Sequence, residues 1–188
     1  MATILNADTV VGGAIVTGDA SGVLTLQSAG TTAVTLDSGN TAIAQKLTAV
    51  GTASIAGLKI ADVLETATIS ATAATGTIAY DVTTQAVLYY TSNASANWTV
   101  NFRGSSGTSL NTLMATGESV TVAFFVTQGA TAYYNNAVQI DGSSVTPKYQ
   151  GGTAWASGNA SSIDAYTYTI VKTGSAAFTV FAAQTKFA

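Results

Sequence analysis

The sequence predicts an all-β protein: a small N-terminal β-hairpin module over residues 1–62, followed by a C-terminal antiparallel β-sandwich, jelly-roll-like, over residues 63–188. Three observations carry this reading. Short runs of alternating apolar and polar residues recur along most of the chain, bounded by Gly, Asp, Asn and Ser. Period-two alternation between turn residues is the mark of a half-buried strand. Many such runs at close spacing are what a sandwich or jelly roll is built from. Third, charged residues make up 8% of the chain, against about 25% in an average soluble protein. A chain so poor in charge covers itself with Ser, Thr, Asn, Gln and Gly, or buries surface against partner chains. Both are expected here.

The first elements are thin. Ala14–Thr17, Val23–Gln27 and Thr32–Asp37 read as strands separated by Gly18–Gly22 and by Ser28–Thr31. Leu24 and Leu26 face away from Thr25, and Val34 and Leu36 repeat the pattern around Thr35, about ten residues on. An isolated hairpin is marginal in water, so completion by identical copies from neighbouring subunits is expected. Residues 41–64 are rich in Ala, which favours helix. Gly51, Gly57 and the interspersed Thr, Val and Ile oppose it. Strand-like or irregular stacking is expected, with Val63–Glu65 a candidate for the end of a short helical turn.

The main domain begins with a strand at Thr66–Ser70. Thr77–Asp81 and Gln85–Thr91 are expected to form a hairpin across Val82–Thr84. Asn97–Arg103 alternates, with Trp98, Val100 and Phe102 on the buried side. Ser109–Met114 places Leu110, Leu113 and Met114 at helical spacing, enough for one turn. Ser119–Thr127 turns apolar on both faces near its end, as a central strand does. Thr131–Ile140 and Val145–Tyr149 pair through Asp141-Gly142, a favoured two-residue corner. Pro147 belongs on an edge, since it has no N–H for a ladder. A polar loop over 151–162 holds Trp155. Ala165–Lys172 and Ala177–Ala183 form the last hairpin, and the C-terminus is expected to be tied into a sheet.

The chemistry is as informative for what it lacks. The chain has no Cys and no His, so disulfides, Ser-His-Asp or Cys-His catalysis and the usual zinc sites are excluded. No glycine-rich loop is followed by Lys-Ser/Thr, and no calcium-loop pattern occurs. Six basic residues against nine acidic ones, scattered, do not make a nucleic-acid surface. Mean hydropathy is +0.36, yet no apolar run approaches the ~18–20 residues needed to span a bilayer. The opening Met1–Asp8 lacks a basic n-region and a long apolar stretch, so no secretory signal peptide is expected. Asp81, Glu118, Asp141 and Asp164 are the carboxylates of the main domain that a hydrolase would draw on. Turn and loop roles account for them better, and no enzyme activity, cofactor or metal is expected.

Three residues stand out as contact candidates. Arg103, the only arginine, lies opposite the Trp98 face. It either pairs with a carboxylate of a neighbouring subunit or is solvated. Tyr149 and Trp155, at and after the Pro147 edge, are candidates for exposed contacts to a subunit or to a glycan.

The residues Asn97-Trp-Thr-Val-Asn-Phe-Arg-Gly104, Leu110-Asn-Thr-Leu-Met114, Val120-Thr-Val-Ala-Phe-Phe-Val-Thr127 and Thr146-Pro-Lys-Tyr-Gln-Gly-Gly152 resemble a domain of structural proteins of marine tailed bacteriophages, such as those infecting cyanobacteria. Gly158–Ile170 and the ending Gln184-Thr-Lys-Phe-Ala188 fit the same pattern, and Ile15–Asp37 is similar to fibre modules of those phages. The resemblance implies a virion protein on the outer surface of head or tail, made in the host cytoplasm. It implies a homotrimeric short fibre, spike or capsid decoration, in which 1–62 docks or trimerises and 63–188 projects. Capsid or tail proteins would be its neighbours. The alternative it carries is a receptor-binding module that takes host surface glycans. It implies no catalytic residues.

Overall fold

The computed structural model describes residues 62–187, together with Gln27–Ser28 and Thr31–Thr32. The chain divides into two units, Met1–Leu58 and Lys59–Ala188. Of the first, β1 (Gln27–Ser28) and β2 (Thr31–Thr32) are described, paired antiparallel with Gln27 opposite Thr32. The remaining strands expected over 14–37, and the stretch 41–61, lie outside the described residues.

The second unit is all-β, in two sheets. Its strands are β3 (Ala67–Ala73), β4 (Gly76–Asp81), β5 (Val87–Ser92), β6 (Trp98–Arg103), β7 (Ser119–Thr127), β8 (Asn135–Ile140), β9 (Ser143–Val145), β10 (Lys148–Tyr149), β11 (Ile163–Gly174) and β12 (Ala177–Phe187). One sheet has the order β10-β12-β11-β7-β5-β3 and the other β4-β6-β8-β9. From β3 to β8 each strand lies in the sheet opposite to the one before it. Same-sheet neighbours are therefore two strands apart in sequence and run parallel.

This corrects the expected antiparallel sandwich. Of the eight pairings in these two sheets, five are parallel: β10 with β12, β3 with β5, β5 with β7, β4 with β6 and β6 with β8. Parallel neighbours need a crossover of about a dozen residues or more. For the four pairs from β3 to β8 the crossover is a strand of the other sheet, and for β10 and β12 it is the loop after β10 together with β11. Alternation along a strand fixes which face is buried, but not the direction of its neighbour.

The hairpin expected across Val82–Thr84 is likewise overturned, because β4 and β5 belong to different sheets. The Val82 and Thr83 amides continue along β6, donating to Arg103 O (3.0 Å) and Gly104 O (3.2 Å), before the chain crosses over. Val-Thr-Thr offers none of the residues that accept positive φ, which tight hairpin turns require. Where the sequence does supply them a hairpin forms, though its second strand is Ser143–Val145 and not the expected Val145–Tyr149, because Pro147 has no N–H for that ladder and Lys148–Tyr149 pair with β12 in the other sheet. Asp141 (φ 51°) and Gly142 (φ 81°) join β8 to β9, with Ile140 opposite Ser143. The β11–β12 hairpin also forms. Pro147 sits where the chain leaves β9 for the edge strand β10, so it interrupts no ladder. Val63–Glu65 carry no helical turn.

The core lies between the sheets and is strongly aromatic. Trp98 of β6 meets Phe124 of β7 and Tyr166 of β11 edge-on, with ring centroids 6.0 and 5.6 Å apart. Phe102 packs on Tyr168 at 5.0 Å and on Tyr80 at 5.3 Å. Offset and edge-on geometries are the favoured ones for such rings. Tyr80 also pins the layers together, its hydroxyl donating to Ala86 O (2.7 Å) and Ala123 O (3.2 Å). Burial raises the phenol pKa values of Tyr80, Tyr166 and Tyr168, so all three remain neutral.

The one helical turn read from the sequence is present as α1 (Leu110–Leu113). Ser109 Oγ accepts from Thr112 N (2.9 Å), and the Asp141 carboxylate accepts from the amides of Leu110 (2.7 Å) and Asn111 (2.9 Å). At the other end, the buried Lys172 donates Nζ to Asn111 O (2.6 Å) and Met114 O (2.8 Å). A turn this short has little stability of its own. Side chains from the β8–β9 corner and from β11 hold both ends by satisfying its free backbone groups.

Candidate functional site

The three contact candidates occupy two separate places. Arg103 ends β6 beside Asp81, its register partner at the end of β4. Arg103 Nε donates to Asp81 Oδ1 and Nη2 to Oδ2 (3.3 Å). Of the two expectations for Arg103, a carboxylate partner from a neighbour or solvation, neither describes the single chain, in which its own Asp81 is the partner. That hydrogen bond holds the guanidinium pKa above its ordinary value. Around the pair, Asn101 Oδ1 accepts from Gly142 N (2.9 Å), and a shallow polar groove runs past Ser105, Ser109 and Asp141.

Tyr149 and Trp155 lie together instead, at the β10 end of the six-stranded sheet. Their rings meet edge-on at 4.8 Å, and Trp155 also contacts Tyr166 (5.2 Å) and Tyr168 (6.4 Å). Trp155 Nε1 donates to Asn135 O. Both rings are half-buried, so the loop that carries Trp155 folds back onto the core.

Two buried polar side chains organise this end of the molecule, and neither shows a local signal in the sequence. Asn135 fills an irregularity between β6 and β8, where the register shifts between Trp98 and Thr99. Its Nδ2 donates to Trp98 O (2.9 Å) and Ala137 O (2.8 Å), and its Oδ1 accepts from the Tyr168 hydroxyl (3.0 Å). Asp164 is 0% exposed. Its Oδ2 accepts from Gln128 Nε2 (3.1 Å) and Asn159 N (3.0 Å), while Oδ1 has no partner among the described residues. Gln128 in turn donates to Tyr133 O and accepts from Tyr133 N (3.0 Å). Gly158 closes over this cluster. A Cβ there would lie 2.2 Å from Tyr133 O and 2.7 Å from Asp164 Oδ2, so no larger residue fits.

Burial raises the Asp164 pKa above its ordinary value of 3.8, against the hydrogen bonds from Asn159 and Gln128 and the nearby Lys186 charge. A carboxyl with a raised native pKa weakens the fold when ionised. The burden is full above the native pKa and vanishes below the unfolded one. Asp164→Asn is therefore expected to gain most over the native protein at neutral pH, with the gap closing as pH falls towards 3.8. Thermal unfolding of both proteins from neutral to acid pH reads this, and a gap independent of pH would refute it.

The outer faces of the two sheets differ in kind. On the four-stranded sheet the outward positions include Thr77, Thr99, Asn101 and Gln139, with the Asp81–Arg103 pair at one end. On the six-stranded sheet they are Thr, Ala and large apolar residues. Ile69 (61% exposed), Phe181 (49%) and Phe187 (52%) all lie there. Tyr89 and Phe125 stand side by side, 6.0 Å apart, and with Ile69, Ile163 and Phe187 line an almost wholly apolar groove of about 380 Å³. A second groove, about 470 Å³, runs past Lys148, Tyr149, Gln150 and Phe181. Among the strands of this sheet the charged residues are Asp164, Lys172, Lys186 and Lys148. The first two are buried inward. Lys186 pairs in register with Asp164 and shares its side. Lys148 alone shares the outward side with its register partner Phe181, at the sheet margin.

No His, Cys, Asp or Glu cluster able to hold a metal ion occurs among the described residues. Asp141 serves the α1 amides, and Glu118 Oε2 accepts from Ala115 N (2.8 Å). Comparison with protein-family models, with curated proteins and with solved structures finds no match.

Proposed function

We propose that the protein is a structural component of a tailed-bacteriophage virion, a homotrimeric short fibre, spike or capsid decoration on the outer surface of head or tail. Residues 1–62 act as the module that docks or trimerises, and residues 63–188 project from the particle. Capsid or tail proteins are its neighbours. The phage assignment rests on the resemblance of the stretches from Asn97 onward. The self-assembly rests on one observation: in a chain with 8% charged residues, the exposed Ile69, Phe181 and Phe187 come together on one sheet face. Large exposed apolar patches mark interaction surfaces.

A second reading is attachment to a host glycan. Here the Phe181 ring, flanked by Lys148, Gln150, Thr167 and Thr169, offers a stacking surface beside hydrogen-bonding groups. One preparation separates the two readings. Light scattering on the purified full chain is expected to give three times the chain mass of 18.8 kDa, and a glycan array no signal. A stable single chain would overturn the structural reading, and a saturable array signal lost on Phe181→Ala would establish the second.

A further inference from the structure

We infer that the outer face of the six-stranded sheet is the surface that copies of this chain bury against one another. The inference rests on the self-assembly reading above, gives residues 1–62 the docking role within it, and names the face that holds the copies together.

Four features single out this face and its occupant. Its area is right. Six strands about 4.8 Å apart and on average about eight residues long at roughly 3.3 Å per residue give about 700 Å², close to the ~800 Å² that each partner of a standard stable complex contributes. Its chemistry is dry, with no charged side chain outward on β3, β5, β7, β11 or β12. Lys148 at the margin suits the polar rim of an interface. Its relief is self-complementary. Phe125, Phe181 and Phe187 stand up beside low positions such as Ala123, Thr169 and Ala183, so ridges of each copy have hollows to enter on its two neighbours when three such faces turn towards a common axis.

The fourth feature selects the partner. Charge patterns across an interface exclude wrong partners and steer right ones. A face without charge has no such means of choosing a foreign protein, whereas a copy of itself brings equal apolar area and no charge to desolvate. The outer face of the four-stranded sheet, with its ion pair and amides, is the contrasting solvent side.

The test uses the full chain. Ile69 and Phe187 are more than half exposed in the single chain, so Ile69→Glu with Phe187→Glu leaves the fold intact, as circular dichroism will read, yet places charge in the shared surface. The double variant is expected to shift the particle from the oligomer to the 18.8 kDa chain. Thr77→Glu with Ala79→Glu, of equal charge on the other sheet, is expected to leave the oligomer unchanged.

The chain has no cysteine, so Thr167→Cys and Thr77→Cys give unique attachment points on the two faces. A short bismaleimide is expected to join subunits through the first and not the second. An oligomer that survives the double Glu variant, with linking at position 77, means that copies meet elsewhere: the face assignment fails and self-assembly stands. A native protein that is a single chain overturns both. If that single chain loses thermal stability in the Glu variant, residues 1–61 of the same chain cover the face; if it does not, the face serves another partner. Either result overturns the inference.

Discussion

Trp98→Ala is expected to lower the stability of the domain by about 3–5 kcal/mol, the range for emptying a large aromatic site in a packed core. Trp98 is 1% exposed and its ring is held edge-on by Phe124 and Tyr166, one from each of two neighbouring strands of the facing sheet. Truncation removes the ring that both lean on, and neighbours fixed in strands cannot collapse into the space. Urea unfolding would show a lower midpoint at an unchanged slope, the sign of lost stability without a change in the surface exposed.

Trp98→Phe separates packing from polarity at the same site. The indole Nε1–H has no hydrogen-bond partner among the described residues, and an unpaired buried donor costs about 1–3 kcal/mol. Phe keeps an aromatic ring and removes that donor, so the two effects offset, and its midpoint is expected much nearer the native value. A Phe variant as unstable as the Ala variant would mean that the N–H is satisfied and that the role of Trp98 has been misread.

Trp98 also marks what the sequence makes legible. Its alternation with Val100 and Phe102 told the buried side of β6 before any fold was known, because burial repeats every second residue along a strand. Asp141-Gly142 announced a hairpin through its backbone requirement, and Leu110, Leu113 and Met114 announced one helical turn through their spacing. Each of these signals is local.

What was not legible depends on which strands are neighbours. Arg103 finds Asp81 because β4 and β6 run parallel in register, and nothing within either strand encodes that. Trp155 sat in a Gly- and Ser-rich loop and read as exposed; its indole is placed by Asn135, twenty residues away. The apolar outer face is hidden for a similar reason. Strand by strand, Ile69, Phe125, Phe181 and Phe187 are single apolar residues among Thr and Ala. They become a surface only when β3, β5, β7, β11 and β12 are set side by side.

Asn135 is the position where that long-range order is most exposed to a single change. Asn135→Ala is expected to cost about 3 kcal/mol, since it strands the Tyr168 hydroxyl and the carbonyls of Trp98 and Ala137, and each buried group left unpaired costs about 1–3 kcal/mol. Relaxation into the vacated space recovers part of that sum. Asn135→Asp is the sharper probe. It keeps the volume and the acceptor for Tyr168, but sets a carboxylate oxygen where an amide donor faced two carbonyls. Burial and those carbonyls both disfavour the charge, so the introduced acid has a raised native pKa. By linkage, the variant is weakest at neutral pH and regains stability as pH falls through that raised value, when the protonated acid can again donate. At neutral pH the expected order of urea midpoints is native, then Ala, then Asp, with the Asp variant overtaking Ala on acidification. An Asp variant as stable as the native protein at neutral pH would show that Asn135 does not donate to the two carbonyls, and that the β6–β8 irregularity is held by something else.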